Sequence, residues 1–102
     1  MPQKQHFYGI IKPYRKDFIT DPKSYEEKVM SDHFNYLKTL LKQNKLFLVG
    51  PTLIPEGPFG VIILETETEE EARDLLEKDP SVKLGIQKIT DFRPIRLSLT
   101  RA

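Results

Sequence analysis

The stretch LFLVGPTLIPEGPFGVIILETE, residues 46–67, decides the fold of this protein. It holds two runs rich in apolar and β-branched residues, 46–54 and 58–67, and such runs are typical of β-strands. Pro55, Glu56 and Gly57 separate the runs, and these residues favour a turn. The stretch therefore predicts a β-hairpin near the centre of the chain.

A helix is predicted on each side of the hairpin. After it, Thr68 and Glu71 form a capping box ahead of apolar residues with helical spacing, which predicts a helix ending near Lys78, before Asp79-Pro80. Before the hairpin, Asp21-Pro22 favours a short helical lead-in. A second start signal at residues 31–32 precedes Phe34, Leu37, Leu40 and Leu41, so the main helix is predicted over 31–44.

Strands are also predicted at both ends of the chain, over residues 5–13 (QHFYGIIKP) and 85–94 (GIQKITDFRP). The order is then strand, helix, strand, strand, helix, strand, which is the ferredoxin-like α+β arrangement with both helices on one face of the sheet. A length of 102 residues suits one compact domain over residues 1–102.

Both faces of the predicted sheet carry apolar side chains. The third strand is apolar at nearly every position from Phe59 to Leu64, and the first strand places Phe7 and Ile11 on one face but Tyr8 and Ile10 on the other. A face of this kind is rarely left exposed in a monomer. We therefore expect a homodimer whose sheets pack face to face. The alternative is that the loop from Tyr14, or the tail after Arg93, folds over that face.

The composition excludes several classes of protein. The net charge of +1 provides no general attraction for nucleic acid or anionic membranes, and no apolar segment is long enough to span a membrane. The absence of cysteine excludes disulfides and cysteine-type zinc sites, and two separated histidines do not make a metal site. The charged start is unlike a secretory signal, so a cytoplasmic location is expected.

His33 is the first candidate functional residue. Met30 precedes it by three residues and Leu37 follows it by four, so His33 lies on the flank of the apolar stripe of its helix. Such a histidine is either a buried residue satisfied by one hydrogen bond or a catalytic group.

Asp79 is the second candidate. It follows Leu75 by four residues and Leu76 by three, which places it on the inward stripe at the C-terminal end of the second helix, where the helix dipole disfavours an anion. A carboxylate there needs a partner. The alternative is a local turn in which the side chain binds the amide of Ser81 or Val82.

The predicted fold suggests that these two residues meet. The two central strands of a ferredoxin-like sheet run antiparallel, so the start of the first helix lies beside the end of the second, and His33 comes near Asp79. An aspartate on one imidazole nitrogen leaves the other nitrogen free to move protons. The pair would then be a general acid–base pair.

The segments HFNYLKTLLKQNKLFLVGP (33–51) and FGVIILETETEEEARDLLEKDP (59–80) resemble the YciI-like (YCII-related) family. The resemblance runs from the first strand to Arg93 and implies a dimeric α+β barrel with an active site on a His-Asp pair, here His33 and Asp79. One family member is a dehydrochlorinase of chlorinated hydroxyquinols, which implies lyase-type chemistry without a cofactor or a metal. The segment 17–29 resembles longer members of the family.

The main hypothesis is an enzyme that acts on a small molecule by proton transfer, with Tyr8, Tyr14 and Arg93 as candidate substrate-binding residues. His6, on the first strand, is interpreted as structural or as part of a pocket wall. The alternative is a non-catalytic dimer that binds a metabolite or acts as an accessory module. RNA binding through exposed aromatic residues is a third hypothesis, but the motif of that class is missing.

Overall fold

The computed structural model describes residues 4–18 and 20–101. In chain order its elements are β1 (Gln5–Pro13), α1 (Ser24–Lys42), β2 (Leu46–Pro51), β3 (Gly60–Thr66), α2 (Glu69–Glu77), α3 (Pro80–Lys83) and β4 (Gln87–Ile95). The strands form one sheet in the order β2-β3-β1-β4, and each neighbouring pair is antiparallel. The predicted ferredoxin-like α+β fold is therefore confirmed at the level of the single chain.

The main core lies between the helices and one face of the sheet. Alternation along β1 and β3 sends every second side chain to that face, because successive side chains of a strand point to opposite sides. The buried residues of this core are Phe7, Ile11, Leu37, Leu40, Leu46, Ile62, Leu64, Ala72 and Leu76. A smaller cluster of Phe18, Val29 and Ile86 extends it toward the start of α1.

Helix α1 is one continuous helix of 19 residues, so the predicted lead-in and the predicted start at residue 31 are wrong. The helix begins at Ser24, and Glu26 accepts a hydrogen bond of 2.7 Å from the backbone N–H of Lys23 at its first turn. Packing of Val29 against Phe18 and Ile86 extends the helix past the local start signal. The exposed residues Ser31 and Asp32 remain inside it.

Helix α2 follows the prediction, and Thr68 accepts a hydrogen bond from the backbone N–H of Glu71. The short helix α3 was not predicted, and it changes the setting of Asp79. Asp79 lies beyond the last turn of α2 and is the N-cap residue of α3. Asp79 therefore follows the C-terminus of α2, as expected, and also caps the start of α3, where a carboxylate that accepts a backbone N–H is favoured.

The hairpin strands are shorter than predicted, and residues 52–59 connect them. Thr52 and Phe59 close this connection with two hydrogen bonds: the Thr52 backbone N–H donates to the Phe59 carbonyl at 2.8 Å, and the Phe59 N–H donates to the Thr52 hydroxyl at 3.0 Å. β4 runs from Gln87 to Ile95 rather than from 85 to 94 because Gly85, with a φ of 75°, belongs to the turn that follows α3.

The face of the sheet away from the helices, which we call the outer face, is formed by alternate residues of the strands. Its apolar and aromatic side chains are Tyr8, Ile10, Phe47, Leu48, Val61 and Ile63. The loop after β1 lies on the helix side through Phe18, and Leu99 in the tail is 96% exposed. The described residues also include no helix with an apolar stretch long enough to cross a membrane.

Candidate active site

Helix α1 is held beside the end of α2 by Tyr36. The Tyr36 hydroxyl donates a hydrogen bond of 2.6 Å to the carbonyl of Leu75 in the last turn of α2. Tyr36 is three residues after His33, so both side chains lie on the same side of α1. This bond therefore helps to set the position of His33 relative to the residues that follow α2.

His33 and Asp79 form a hydrogen-bonded pair. The Nδ1 atom of His33 lies 2.6 Å from Oδ2 and 2.8 Å from Oδ1 of Asp79. The Asp79 side chain is fully buried and the His33 side chain is 12% exposed. Because a carboxylate only accepts hydrogen bonds, we assign the Nδ1 proton to His33, which leaves the lone pair of the neutral imidazole on Nε2.

Asp79 is also held by Ser81. Its Oδ1 atom accepts a hydrogen bond of 2.9 Å from the Ser81 backbone N–H and lies 3.0 Å from the Ser81 hydroxyl. The two interpretations of Asp79 from the sequence, a partner of His33 and a local turn, are therefore both present. One oxygen atom belongs to both interactions, so the turn fixes the direction of the carboxylate toward the imidazole.

The electrostatics of this region reflect burial around a negative charge. Burial, followed by the nearby charges of Asp79 and Asp74, raises the pKa of Tyr36 to about 12. Tyr36 therefore stays protonated and remains a donor to Leu75 at physiological pH.

A cavity of about 250 Å³ opens beside His33. Of the described residues that line it, His33 and Gln87 are polar, and the others are apolar side chains or glycines. The apolar part of the lining is Ile11, Pro13, Phe18, Met30, Phe34, Leu37, Val49, Pro51, Pro58 and Phe59. The cavity therefore offers an apolar setting with an imidazole at its wall.

One wall of this cavity comes from the loop after β1. Phe18 lines the cavity, and the loop is tied to α1 by Arg15, whose guanidinium lies 2.6 Å and 3.1 Å from the two carboxylate oxygens of Glu26. Glu26 is 3% exposed, and the hydrogen bonds from Arg15 and from the Lys23 N–H lower its pKa to about 2. The ion pair therefore holds this wall over the usual pH range.

The three predicted substrate-binding residues do not line this cavity. Tyr8 and Arg93 lie on the outer face, where the Tyr8 hydroxyl and the Arg93 Nε donate to the carboxylate of Asp91 at 2.7 Å and 2.9 Å. These bonds raise the pKa of Tyr8 and lower the pKa of Asp91. Tyr14 is 60% exposed beside Lys88. A substrate-binding role for the three residues stays a prediction.

His6 also lies on the outer face, away from the cavity. Its Nε2 atom lies 3.0 Å from a carboxylate oxygen of Glu65, the residue opposite it on β3. Its ring also packs edge-on against the Phe47 ring, and the two ring centroids are 5.6 Å apart. These contacts fit the structural interpretation of His6.

Sequence reasoning named the Ser81 amide as one possible partner in a local turn, and it missed the Ser81 hydroxyl, Gln87, Phe18 and the pair of Arg15 and Glu26. The sequence Asp79-Pro80-Ser81 indicates the contact with the Ser81 amide, because aspartate followed by proline is typical of a helix N-cap. The aspartate side chain at such a position accepts a hydrogen bond from a backbone N–H in the first turn. No local pattern marks the others, since Gln87 and Phe18 reach the cavity only through the packing of β4 and the loop. Among the described residues, no three His, Cys, Asp or Glu side chains cluster as metal ligands would.

Comparison with known proteins agrees with this architecture. The family model of the YCII-related domain matches residues 6–96. The chain belongs to the YCII-related domain family. No curated protein matches it closely enough to count as a relative.

Two solved structures share the fold of this YCII-related protein. One is the 5-chloro-2-hydroxyhydroquinone dehydrochlorinase from Burkholderia phenoliruptrix, in complex with 2,5-dihydroxybenzoquinone. It is 23% identical to this chain with a TM-score of 0.57, and the match covers 88% of this chain and 91% of that chain. The other is an uncharacterized protein from Thermotoga maritima, at 11% identity and a TM-score of 0.53 over 92% and 100% of the two chains. At these identities the likeness concerns the fold alone.

Proposed function

We propose that the protein is an enzyme that moves a proton to or from a small molecule bound in the cavity, with His33 as the general acid or base and Asp79 as its orienting partner. The observation that carries the proposal is the buried hydrogen bond between His33 Nδ1 and Asp79 at the wall of an apolar cavity. A histidine held in this way has one nitrogen, Nε2, left for exchange with a bound molecule.

Asp79 contributes in two ways. It keeps the proton on Nδ1, so the neutral imidazole is a base at Nε2, and its charge stabilises the imidazolium that forms when Nε2 takes a proton. Water is scarce around the pair, which strengthens this interaction. Ser81 prevents the carboxylate from turning away from the ring, because its backbone N–H donates to the oxygen that His33 also contacts.

Elimination is the reaction that we propose to test first. The dehydrochlorinase of the same fold supports this choice. In such a step the ring reacts as its keto tautomer, in which the carbon that carries chlorine also carries a hydrogen atom. His33 takes a proton from this form, the electrons of that bond form a new double bond, and chloride leaves with the electrons of the carbon–chlorine bond. The imidazolium then returns its proton to water, and the cycle needs no oxidant.

We further propose that a second copy of the chain covers the outer face, which would give a dimeric α+β barrel. The apolar side chains of that face support the proposal, because in the described part of the chain Phe18 of the loop after β1 packs on the helix side and Leu99 of the tail is 96% exposed. The cavity lies on the opposite side of the sheet, so each copy would keep its own His33 and Asp79.

The test is chloride release from 5-chloro-2-hydroxyhydroquinone by the wild-type protein, His33→Gln and Asp79→Asn, alongside thermal unfolding of each. We expect His33→Gln to abolish release and Asp79→Asn to reduce it by a factor of about 10²–10⁴, the usual contribution of general acid–base catalysis. Release that is unchanged in His33→Gln would contradict the proposal.

A negative result with that substrate leads to a second measurement. Small hydroxylated ring compounds are titrated into ¹⁵N-labelled protein while the ring nitrogen signals of His33 are recorded. If no compound moves these signals and His33→Gln only lowers the melting temperature, the pair is structural. The protein is then the non-catalytic module of the alternative hypothesis.

A further inference from the structure

We propose that the side-chain amide of Gln87 binds an oxygen atom of the substrate and that the site takes uncharged molecules about the size of one substituted ring. This inference rests on the proposed function, because it concerns the molecule on which His33 acts. It names a second polar anchor and a substrate class, neither of which follows from the His33–Asp79 pair.

Gln87 is buried but reaches the cavity. It is the first residue of β4, it is 7% exposed, and its side chain lines the cavity together with His33. A glutamine in an apolar setting needs partners for both ends of its amide group. The amide oxygen lies 2.9 Å from the Ser81 hydroxyl, which donates to it. The amide nitrogen is the end that Ser81 does not use, and it remains available to donate to a bound molecule.

Ser81 links this amide to the catalytic pair. The Ser81 Oγ atom lies 3.0 Å from Asp79 Oδ1 and 3.3 Å from His33 Nδ1, and it also touches the Gln87 oxygen. The orientations of Gln87 and His33 are therefore set by one serine. A substrate that places one oxygen at Gln87 and its labile proton at His33 would be held at two points, which is the arrangement that orients a small molecule for proton transfer.

The lining of the cavity points to an uncharged molecule. Among the described lining residues there is no lysine, arginine, aspartate or glutamate. An anion or cation would lose its hydration without gaining an opposite charge. A neutral acid avoids this cost, because proton transfer to His33 creates the substrate anion and the imidazolium together and leaves the total charge of the site unchanged.

The size of the cavity suits a molecule of about one ring. A cavity of about 150 Å³ accommodates benzene, and this cavity measures about 250 Å³. One substituted ring therefore fits. Phe34 and Phe59 supply aromatic surface for such a ring.

The experiment compares three probes by NMR titration of the full ¹⁵N-labelled chain: phenol, hydroquinone and phenyl phosphate. Hydroquinone has a second oxygen for Gln87, so we expect it to bind about three- to tenfold more tightly than phenol, the contribution of one net hydrogen bond. The side-chain amide signals of Gln87 should shift with hydroquinone. Phenyl phosphate should bind at least tenfold more weakly than phenol.

Two variants remove the amide nitrogen. Gln87→Met has similar length but no polar atoms, and Gln87→Leu is a shorter apolar side chain that also lacks the donor. Both should remove the preference for hydroquinone and leave the affinity for phenol close to wild type. Gln43→Met changes an exposed glutamine at the end of α1 and is the matched control, which should keep the preference.

Several results would overturn the inference. They are equal affinities of the wild-type protein for phenol and hydroquinone, a preference that survives in Gln87→Met, tight binding of phenyl phosphate, and failure of all three probes to shift signals of the cavity residues. None of these measurements requires turnover. A failure of Gln87 as an anchor is therefore distinct from a failure of His33 as a catalyst, which the chloride assay reports.

Discussion

Asp79 serves two partners with one carboxylate. It accepts hydrogen bonds from the Nδ1–H of His33 and from the backbone N–H of Ser81, and its side chain is fully buried. From spacing alone, these two interactions looked like alternatives, because each accounts for a polar residue near the end of a helix. They coexist because a carboxylate has two oxygens and about four acceptor positions. A local turn is therefore no argument against a functional contact at the same residue.

The ion pair of Arg15 and Glu26 makes stability depend on pH. Glu26 has its pKa lowered from 4.5 to about 2 in the folded protein, so its charged form stabilises the fold above about pH 4.5. This contribution is lost as the pH falls from about 4.5 toward 2. We predict that Glu26→Gln is less stable than wild type at pH 7 and that the difference shrinks at pH 2.5.

Urea unfolding midpoints at pH 7, 4 and 2.5 measure this effect. Glu27→Gln is the control, because Glu27 is exposed on the same turn of α1. It should change the midpoint little at any of the three pH values. A deficit of Glu26→Gln that is as large at pH 2.5 as at pH 7 would contradict the role assigned to the ion pair.

At the scale of elements, helix starts depend on packing as well as on local signals. The sequence around residues 31–32 has the composition of a helix start, yet α1 passes through it. Val29 lies before these residues and packs against Phe18 and Ile86. Burial of an apolar side chain contributes about 1.5–3 kcal/mol, more than a helix cap of about 1 kcal/mol. The longer helix is therefore the more stable one.

The contact of α2 with β1 depends on a glycine. A Cβ atom on Gly9 would lie 2.7 Å from Cδ2 of Leu76, a residue that is 2% exposed. We predict that Gly9→Ala destabilises the fold by about 1–3 kcal/mol, because extra volume in a packed core forces shifts of side chains or backbone. Chemical denaturation measures the change.

Gly50→Ala is the matched control for this prediction. Gly50 is also a strand glycine, but a Cβ atom there would meet nothing within 4 Å. It should change stability by less than about 0.5 kcal/mol. Equal effects of the two substitutions would show that loss of glycine, rather than contact with Leu76, is responsible.

At the scale of the whole molecule, the outer face leads to a prediction about assembly. Ile63 lies near the middle of this face, opposite Tyr8 on β1 and Leu48 on β2. We predict that the wild-type protein sediments as a dimer in analytical ultracentrifugation and that Ile63→Lys sediments as a monomer. A buried lysine without a partner opposes association.

The control for assembly is Leu84→Lys. Leu84 is 61% exposed and follows α3 on the helix side of the sheet, so this change adds the same charge away from the outer face. It should leave the dimer intact. A monomeric wild-type protein, or a dimer that tolerates Ile63→Lys, would contradict the proposed interface.

The pattern of residues alone predicted the order of the strands and main helices, the hairpin, the position of α2 and the antiparallel sheet. These features follow from short-range signals, namely the period of apolar residues, a capping box at Thr68 and turn residues at 55–57. The same periodicity places His33 on the side of α1 that can meet the end of α2, whereas Asp79 lies beyond α2 and reaches His33 from the N-cap of α3.

Only the folded chain decides which other residues join the site. Phe18 and Gln87 come from the loop after β1 and from the start of β4, and they reach the cavity because the sheet and α1 bring those segments together. Tyr8 and Arg93 point away because the strand alternation that buries Phe7 and Ile11 sends them to the outer face. Local signals act over a few residues, whereas a cavity is defined by contacts between residues that are distant in the chain.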